Sequence, residues 1–148
     1  MLRGSAELLK RSVRAYVPVV EALAAAPAHL WTLDVDGYDE AAINEMGEFG
    51  KQLRSSLHDA ASDVLVTKVL LGTMGCVPAF DPNFKNGFRC SRFGPKALWR
   101  IGQFYRDHAD AIEAGRERTL EFDTGQPTQR RYTQAKVIDM IFFVEGER

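Results

Sequence analysis

The sequence predicts an all-α protein, folded as a single compact bundle of about five to six helices over residues 1–148. Three observations lead to this class. A chain of 148 residues that is 45% hydrophobic and 26% charged has the size and composition of one globular domain with a substantial core. Its apolar residues recur at intervals of three and four, in segments separated by proline and glycine, which is typical of amphipathic helices. No segment shows the apolar–polar alternation of a half-buried strand.

The first third of the chain predicts two short helices and a loop. Ser5 is a suitable N-cap for the first helix. Pro18 occupies a first-turn position of a second helix and Pro27 ends it, because proline suits the first turn of a helix but not its interior. The following segment, LWTLDVDGYDE, indicates a loop whose Trp31 and Leu33 side chains we expect to enter the core.

Two longer helices are predicted next. Asp39 is expected to cap a helix that continues to about Leu57, with acidic residues near its start and basic residues near its end, as the helix dipole favours. Ser62 or Asp63 is expected to cap the following helix, which ends near Gly75. Because this helix is apolar on nearly all sides, we expect it to lie at the centre of the bundle.

The C-terminal half predicts two further helices with irregular connections. The segment FDPNFKNGF indicates a turn, and Pro95 opens a long helix that continues to about Gly115. The polar segment DTGQPTQRR indicates a connector without regular structure. The last helix is predicted from Thr133 to Val144, and its apolar side chains are expected to be buried.

One charged residue interrupts the most apolar stretch of the chain, LVTKVLLGTMGCVPAFD. It is Lys68, and Asp81 closes the same stretch. Burying an unpaired ammonium group is unfavourable, so a buried lysine needs a carboxylate partner or a lowered pKa. We therefore hypothesise that Lys68 and Asp81 face one cleft as catalytic residues, with Lys68 as a nucleophile or base and Asp81 as an acid or base.

Structural roles are the competing interpretation of both residues. Lys68 could extend its ammonium group to solvent, or form an ion pair with Asp81 or Asp139. Asp81 precedes Pro82 and could serve as the N-cap of a short helix. Whether the protein is an enzyme stays open at this point.

The cysteines and histidines form no recognisable site in the sequence. Cys76 and Cys90 are too few for a disulfide framework, and Cys76 is interpreted as a small buried side chain. The three histidines show no metal-ligand spacing with one another or with a cysteine. The segment GTMG lacks the lysine and hydroxyl that a phosphate-binding loop needs. We predict no metal and no cofactor.

The same properties favour a cytoplasmic protein that does not associate with membranes. Two cysteines without a framework fit a reducing compartment. The opening residues, MLRGSAELLKRSVR, lack the apolar run of a secretory leader. The most apolar stretch, residues 64–80, contains Lys68, two glycines and Pro78, which argues against a membrane span.

Basic and aromatic residues are interleaved between residues 82 and 106, where no acidic residue occurs. The candidate nucleic-acid-binding residues are Lys85, Arg89, Arg92, Lys96 and Arg100. The aromatic residues are Phe84, Phe88, Phe93, Trp99, Phe104 and Tyr105. Basic side chains contact phosphates and aromatic rings stack on bases, so this pattern indicates nucleic-acid binding. The alternative is a solvated helix face whose aromatic residues belong to the core.

Three segments resemble a family of uncharacterised bacterial helical proteins. They are the opening MLRGSAELLKRSVRAYVPVVEAL, the central TKVLLGTMGCVPAFD and the ending YTQAKVIDMIFFVEG. The resemblance extends over nearly the whole chain, from the first of these segments to the last. In that family a helix ending in a Trp-Gly-Met type sequence precedes the RGS element. The resemblance therefore implies that this chain lacks an N-terminal helix, which would leave apolar surface free for self-association. It implies no particular activity.

The order of Thr67, Lys68, Pro78, Asp81 and Asp139 is similar to that in helix-hairpin-helix DNA glycosylases. In that superfamily the lysine can attack the sugar carbon and the aspartate stabilises the developing cation, so the resemblance implies a glycosylase or lyase reaction. The segment before Thr67, ASDVLV, lacks the Gly-h-Gly hairpin that holds the DNA phosphate there. The stretch between Lys68 and Asp81 is also shorter than in that superfamily.

The leading hypothesis is a nucleic-acid-associated helical protein, with Lys68 and Asp81 in a cleft beside the basic segment. The alternative is a non-catalytic protein-interaction or structural domain, in which the lysine is structural and the aromatic residues belong to the core. An enzyme acting on a small molecule is a third class, because a half-buried Lys–Asp pair suits many reactions.

Overall fold

The computed structural model describes residues 12–57 and 61–148, and it confirms the predicted all-α class. The helix predicted to start at Ser5 lies outside the described residues. The seven α-helices of the described part are α1 (Val17–Ala24), α2 (Glu40–Ser56), α3 (Asp63–Thr73), α4 (Pro82–Phe88), α5 (Pro95–Asp107), α6 (Ala109–Ala114) and α7 (Gln134–Gly146). Short 3-10 turns cover Val13–Tyr16, Ala28–Trp31 and Val35–Gly37.

Local capping signals set where several helices begin. The Asp39 carboxylate accepts a hydrogen bond from Ala42 N–H at 2.7 Å at the start of α2. The Ser62 hydroxyl accepts one from Leu65 N–H at 3.3 Å at the start of α3. Each bond satisfies a first-turn N–H group that has no partner inside the helix. The predicted caps Asp39 and Ser62 are therefore confirmed.

Helices α4 and α7 form the most extensive helix–helix contact. Their backbones meet at two glycines. A Cβ atom on Gly146 would lie 1.8 Å from the Asn83 carbonyl oxygen, and one on Gly87 would lie 2.2 Å from the Phe142 carbonyl oxygen. Only glycine allows so close an approach. Beside it, the Phe88 and Phe142 rings pack edge to face with centroids 4.8 Å apart.

Helix α5 packs against α2 and against the turn at Val35–Gly37, and α1 packs against α2. Helix α5 buries Leu98 and Ile101 completely, as their helical spacing predicts. The predicted long helix from Pro95 is interrupted at His108, whose backbone is not helical (φ −131°, ψ 22°), so that α5 and α6 are separate. The packing of α5 on α2 places the first turn of α2 beside the exposed face of α5.

Two of the predicted connections have regular structure. The segment FDPNFKNGF contains helix α4 rather than a turn alone. The polar connector forms a hairpin in which β1 (Arg118–Leu120) pairs with β2 (Pro127–Arg131) in antiparallel fashion. Its turn includes Gly125 in a left-handed conformation, with φ 66°. The hairpin lacks the alternation of a half-buried strand because most of its residues are exposed on both faces.

The burial of some apolar side chains differs from the predictions. Leu30 is buried in the loop before α2, whereas its neighbour Trp31, which was expected in the core, is exposed. On α7, the side chains of Met140, Ile141 and Val144 are exposed, although they were expected to be buried. The buried part of α7 is its first turns, which the surrounding helices cover.

Candidate functional site

The segment that follows α3, residues 76–80, is a buried loop. All five residues are buried although none of them lies in a helix. Tyr38 donates its hydroxyl hydrogen to the Cys76 carbonyl oxygen. The Thr67 hydroxyl of α3 accepts a hydrogen bond from Phe80 N–H at 2.8 Å. Buried backbone groups outside secondary structure need such partners, so Thr67 and Tyr38 hold the loop in place.

Asp139 of α7 supplies a third partner for the buried loop. It is only 6% exposed, and its Oδ1 accepts a hydrogen bond from Ala79 N–H at 2.9 Å. Its Oδ2 pairs with the Lys136 ammonium group at 2.8 Å. The ion pair that was considered between Lys68 and Asp139 is therefore formed by Lys136 instead. Asp139 has a structural role because both carboxylate oxygens are engaged.

The structure places the predicted catalytic residues in different environments from those expected. Lys68 is exposed, and it forms no ion pair or hydrogen bond with any residue in the described ranges. Successive helix residues are about 100° apart, so Thr67 facing the loop turns Lys68 towards solvent. The expectation that Lys68 is buried in an apolar pocket is therefore wrong, as is the expectation that α3 lies at the centre of the bundle.

Asp81 acts as the N-cap of α4. Its Oδ1 accepts a hydrogen bond from Phe84 N–H at 2.9 Å, and Pro82 occupies the first helical position. The structural interpretation of Asp81 is thus confirmed. No ion pair between Asp81 and Lys68 is present within the described residues.

A second polar network, which sequence reasoning missed, is centred on Asp34. Its carboxylate accepts hydrogen bonds from the N–H groups of Val35 at 2.9 Å, Gln134 at 2.7 Å and Ala135 at 3.0 Å. The Gln134 side chain accepts a further bond from Asp36 N–H at 2.7 Å. Burial raises the pKa of Asp34, although the backbone N–H groups act in the opposite direction. The network fixes the start of α7 against the turn at Val35–Gly37.

Glu113 extends this network to α5 and α6. Its carboxylate accepts hydrogen bonds from the Gln134 amide at 2.8 Å, from the Tyr105 hydroxyl at 3.2 Å and from the Arg116 guanidinium at 3.0 Å. Burial raises the pKa of Glu113, but the hydrogen bonds from Gln134 and Arg116 outweigh it, so that the pKa is lowered from 4.5. Because its members satisfy one another, we interpret the network as structural.

Arg100, predicted to contact nucleic acid, is engaged within the protein. Its guanidinium group donates to the carbonyl oxygens of Phe88 at 3.0 Å and Arg89 at 3.1 Å. It also lies 4.7 Å from the centre of the Phe88 ring. These two carbonyl groups lie at the C-terminal end of α4, where the helix itself provides no N–H donors for them. Arg100 therefore holds α4 against α5, and only part of its side chain is exposed.

The other predicted basic residues form what we call the basic surface: Lys85, Arg89, Arg92 and Lys96. Lys85 is half-buried and the other three are exposed. None of the four forms an ion pair with a carboxylate in the part of the chain that the structure describes. Burial raises the pKa of the Cys90 thiol, while the charges of Arg100 and Lys85 act against it. Both cations therefore lie near Cys90.

Phe93 anchors the loop that carries Arg89 and Arg92. Its N–H donates to the Asp63 carboxylate at 2.9 Å. Its ring lies directly over Gly50 of α2, where a Cβ atom would be 2.6 Å away. With Phe93 fixed on α2, the two arginines are held at the surface next to the start of α5.

Of the six aromatic residues in this segment, Trp99 alone is exposed. The other five belong to the core or pack against it: Phe84, Phe88, Phe93, Phe104 and Tyr105. Trp99 has 56% of its surface exposed. Lys96 lies three residues before Trp99 and therefore shares its face of α5.

Trp99 lines an open groove with a volume of ≈ 590 Å³ between the start of α2 and the exposed face of α5. We call it the Trp99 groove. From α5 it is lined by Lys96, Trp99 and Arg106, and from α2 by Glu40 and Asn44. Ile43 of α2, Pro95 of α5 and the residues preceding α2, Tyr38 and Asp39, complete the lining. The interleaved basic and aromatic residues of the sequence indicated the α5 wall of the groove. Glu40 and Asn44 were missed because only tertiary packing brings them beside that wall.

Comparisons with protein-family models, with curated proteins and with solved structures found no match to this chain. Within residues 12–57 and 61–148, no group of three or more His, Cys, Asp or Glu side chains is arranged to hold a metal ion. In the same ranges, no helix is both long and apolar enough to cross a membrane. The two family resemblances stay predictions, and function is inferred from the basic surface and the Trp99 groove.

Proposed function

We propose that this protein binds single-stranded nucleic acid through the basic surface and the Trp99 groove. The observation that carries the proposal is the exposed Trp99, which shares a helix face with Lys96 and lines the same groove as Lys96 and Arg106. Cations contact the phosphates of a strand and an aromatic ring stacks on its bases, and both are present on this surface.

A single strand suits this surface better than a duplex. Only an unstacked base can lie against the indole ring of Trp99, and bases in a duplex are stacked on their neighbours. The segment from residue 82 to residue 106 contains no acidic residue that would repel the phosphates. The carboxylates of the groove, Asp39 and Glu40, lie outside this segment, at the start of α2. Phe93 and Arg100 hold this segment rigidly, so little ordering of the protein is required on binding.

A glycosylase or lyase reaction is not part of this proposal. A nucleophilic lysine is activated by burial or by a neighbouring cation, whereas Lys68 is exposed. The Asp81 carboxylate is engaged as a helix cap. The proposal is accordingly a binding function, and a catalytic role of these two residues stays a prediction.

The salt dependence of binding tests the role of the basic surface. We would measure fluorescence anisotropy of a labelled single-stranded oligonucleotide at several salt concentrations. Each phosphate contact contributes about −0.7 to the slope of log K against log salt for a single strand. The triple variant Arg89→Ala, Arg92→Ala, Lys96→Ala should make the slope shallower by about 2 and weaken binding at low salt.

A matched control removes the same number of charges elsewhere. The triple variant Arg14→Ala, Arg118→Ala, Arg130→Ala changes three other exposed basic residues and should leave the slope nearly unchanged. Equal effects of the two triple variants would indicate a response to net charge alone and would refute the proposed surface.

Substitution of Trp99 tests stacking separately from charge. Trp99→Ala should weaken binding by about 1–3 kcal/mol, the contribution typical of one stacked base, and should not change the salt slope. Trp31→Ala is the matched control because Trp31 is also exposed but does not line the groove. Unchanged affinity of Trp99→Ala would contradict the proposal.

A non-catalytic protein-interaction domain is the second candidate function. It is favoured by the hairpin, where Phe122 is 100% exposed and Leu120 is exposed beside it, an unusual position for large apolar side chains without a partner. If no single-stranded oligonucleotide binds even at low salt, the nucleic-acid proposal is refuted and this candidate takes its place.

A further inference from the structure

We propose that the Trp99 groove selects a guanine base. This inference rests on the proposed function, since it concerns the base that would stack on Trp99. A volume of ≈ 590 Å³ lies within the range of small-molecule sites, roughly 300–1000 Å³, and is large enough for one nucleoside. The selectivity would come from the α2 wall, whose side chains would meet the edge of a base that is stacked on Trp99.

The α2 wall presents one free carboxylate and one amide. Glu40 and Asn44 are four residues apart on α2, so they lie on one face of the helix, one turn from each other. The other carboxylate of the groove, Asp39, already accepts a hydrogen bond from Ala42 N–H at 2.7 Å as the helix cap. Glu40 forms no ion pair or hydrogen bond through its side chain with any described residue.

A carboxylate that faces a stacked base discriminates among the four bases by their hydrogen-bonding edges. Ionised carboxylates only accept hydrogen bonds. Guanine offers two adjacent donors, N1–H and N2–H, which match the two oxygens of Glu40. Adenine and cytosine offer a donor beside an acceptor, and uracil or thymine offers one donor between two acceptors. Each of these places an acceptor against a carboxylate oxygen, which is repulsive.

Asn44 and Lys96 complete the match to guanine. An asparagine amide can donate to the O6 atom of guanine, since its NH₂ group carries two donors. Lys96 on the opposite wall is placed to contact the phosphate, while Trp99 between Lys96 and Arg106 takes the face of the base. A good bidentate contact to a base typically gives about tenfold or greater discrimination.

The test uses four single-stranded oligonucleotides of equal length, each all-thymine except for one central G, A, C or T. A single guanine avoids four-stranded structures. Binding is measured by anisotropy for the wild type, for Glu40→Gln and for the control Glu117→Gln, which removes an exposed carboxylate just before the hairpin. Thermal unfolding of each variant shows whether it folds.

We expect the wild type and Glu117→Gln to bind the G-containing strand about tenfold more tightly than the other three. Glu40→Gln should reduce this ratio to about threefold or less, since a glutamine amide keeps only one of the two acceptors. Equal binding of all four strands by the wild type, or a G preference that survives in Glu40→Gln, would overturn the inference while leaving the proposed function intact. Absence of binding to every strand would refute the proposed function, and the inference with it.

Discussion

Removal of the Asp139 side chain should destabilise the fold because this carboxylate holds the buried loop at residues 76–80. In Asp139→Ala, the Ala79 N–H group would stay buried without the acceptor that now lies 2.9 Å away. The Lys136 ammonium group would lose its carboxylate partner at 2.8 Å. The variant Asp139→Asn keeps an oxygen acceptor for Ala79 N–H, but it removes the charge and places an NH₂ group where the second oxygen faced Lys136.

The two losses differ in size. A hydrogen bond from a buried N–H group to a charged acceptor contributes about 1.5–3 kcal/mol to stability. The ion pair adds about 1 kcal/mol or less, because Lys136 is partly exposed to solvent. We therefore expect Asp139→Ala to lower the free energy of unfolding by about 2–4 kcal/mol, and Asp139→Asn or Lys136→Met by about 1 kcal/mol.

Urea unfolding monitored by circular dichroism gives these free energies directly. The control is Asp107→Ala, which removes an exposed carboxylate at the end of α5 and should change stability by less than about 0.5 kcal/mol. If Asp139→Ala were no more destabilising than this control, or if Asp139→Asn cost as much as Asp139→Ala, the assigned role of the Ala79 hydrogen bond would be wrong.

Three further predictions concern other parts of the fold. Gly146→Ala should lower the free energy of unfolding in urea by about 1–3 kcal/mol, because its Cβ atom would overlap a backbone oxygen of α4. The control Gly72→Ala should be neutral or stabilising, because a Cβ atom there has no neighbour within 4 Å. Equal effects of the two variants would contradict the close contact at Gly146. Because the pKa of Glu113 is lowered on folding, this carboxylate stabilises the folded state above pH 4.5. Its contribution to the free energy of unfolding is lost as the pH falls through the lowered pKa of the folded protein. The stability difference between wild type and Glu113→Gln should therefore shrink with falling pH, and a constant difference would exclude this linkage. A thiol reagent should modify Cys90 in the native protein and leave Cys76 unmodified until denaturant is added. The reason is that Cys76 is buried, which raises the pKa of its thiol to about 12. Rapid modification of both cysteines would show that the loop at residues 76–80 opens in the native protein.

The local features of the fold could be predicted from the sequence. Asp39 and Ser62 cap their helices because the bond that each accepts comes from a residue three positions later, so the signal lies within one turn. The capping role considered for Asp81 is of the same kind. The buried face of α5 could also be predicted, since Leu98 and Ile101 follow the helical period.

The features that the sequence did not reveal depend on contacts between distant residues. Helix α3 is apolar on most sides, so its periodicity does not indicate which face the other helices cover. Lys68 was therefore predicted on the covered face, whereas it is exposed. Asp34 meets Gln134 across 100 positions of the chain, and no local pattern marks such a pair. The Trp99 groove likewise exists only because α2 packs against α5, which brings Glu40 and Trp99 into one groove.

The buried loop at residues 76–80 also has a consequence for how the molecule fluctuates. The amide groups of Ala79 and Phe80 are bound by side chains from two different helices, α7 and α3. Deuterium can reach each amide only when the helix that supplies its partner moves away, which requires the packed core to open. In a hydrogen-exchange experiment, this irregular segment should exchange as slowly as the centres of the surrounding helices, although it has no secondary structure of its own.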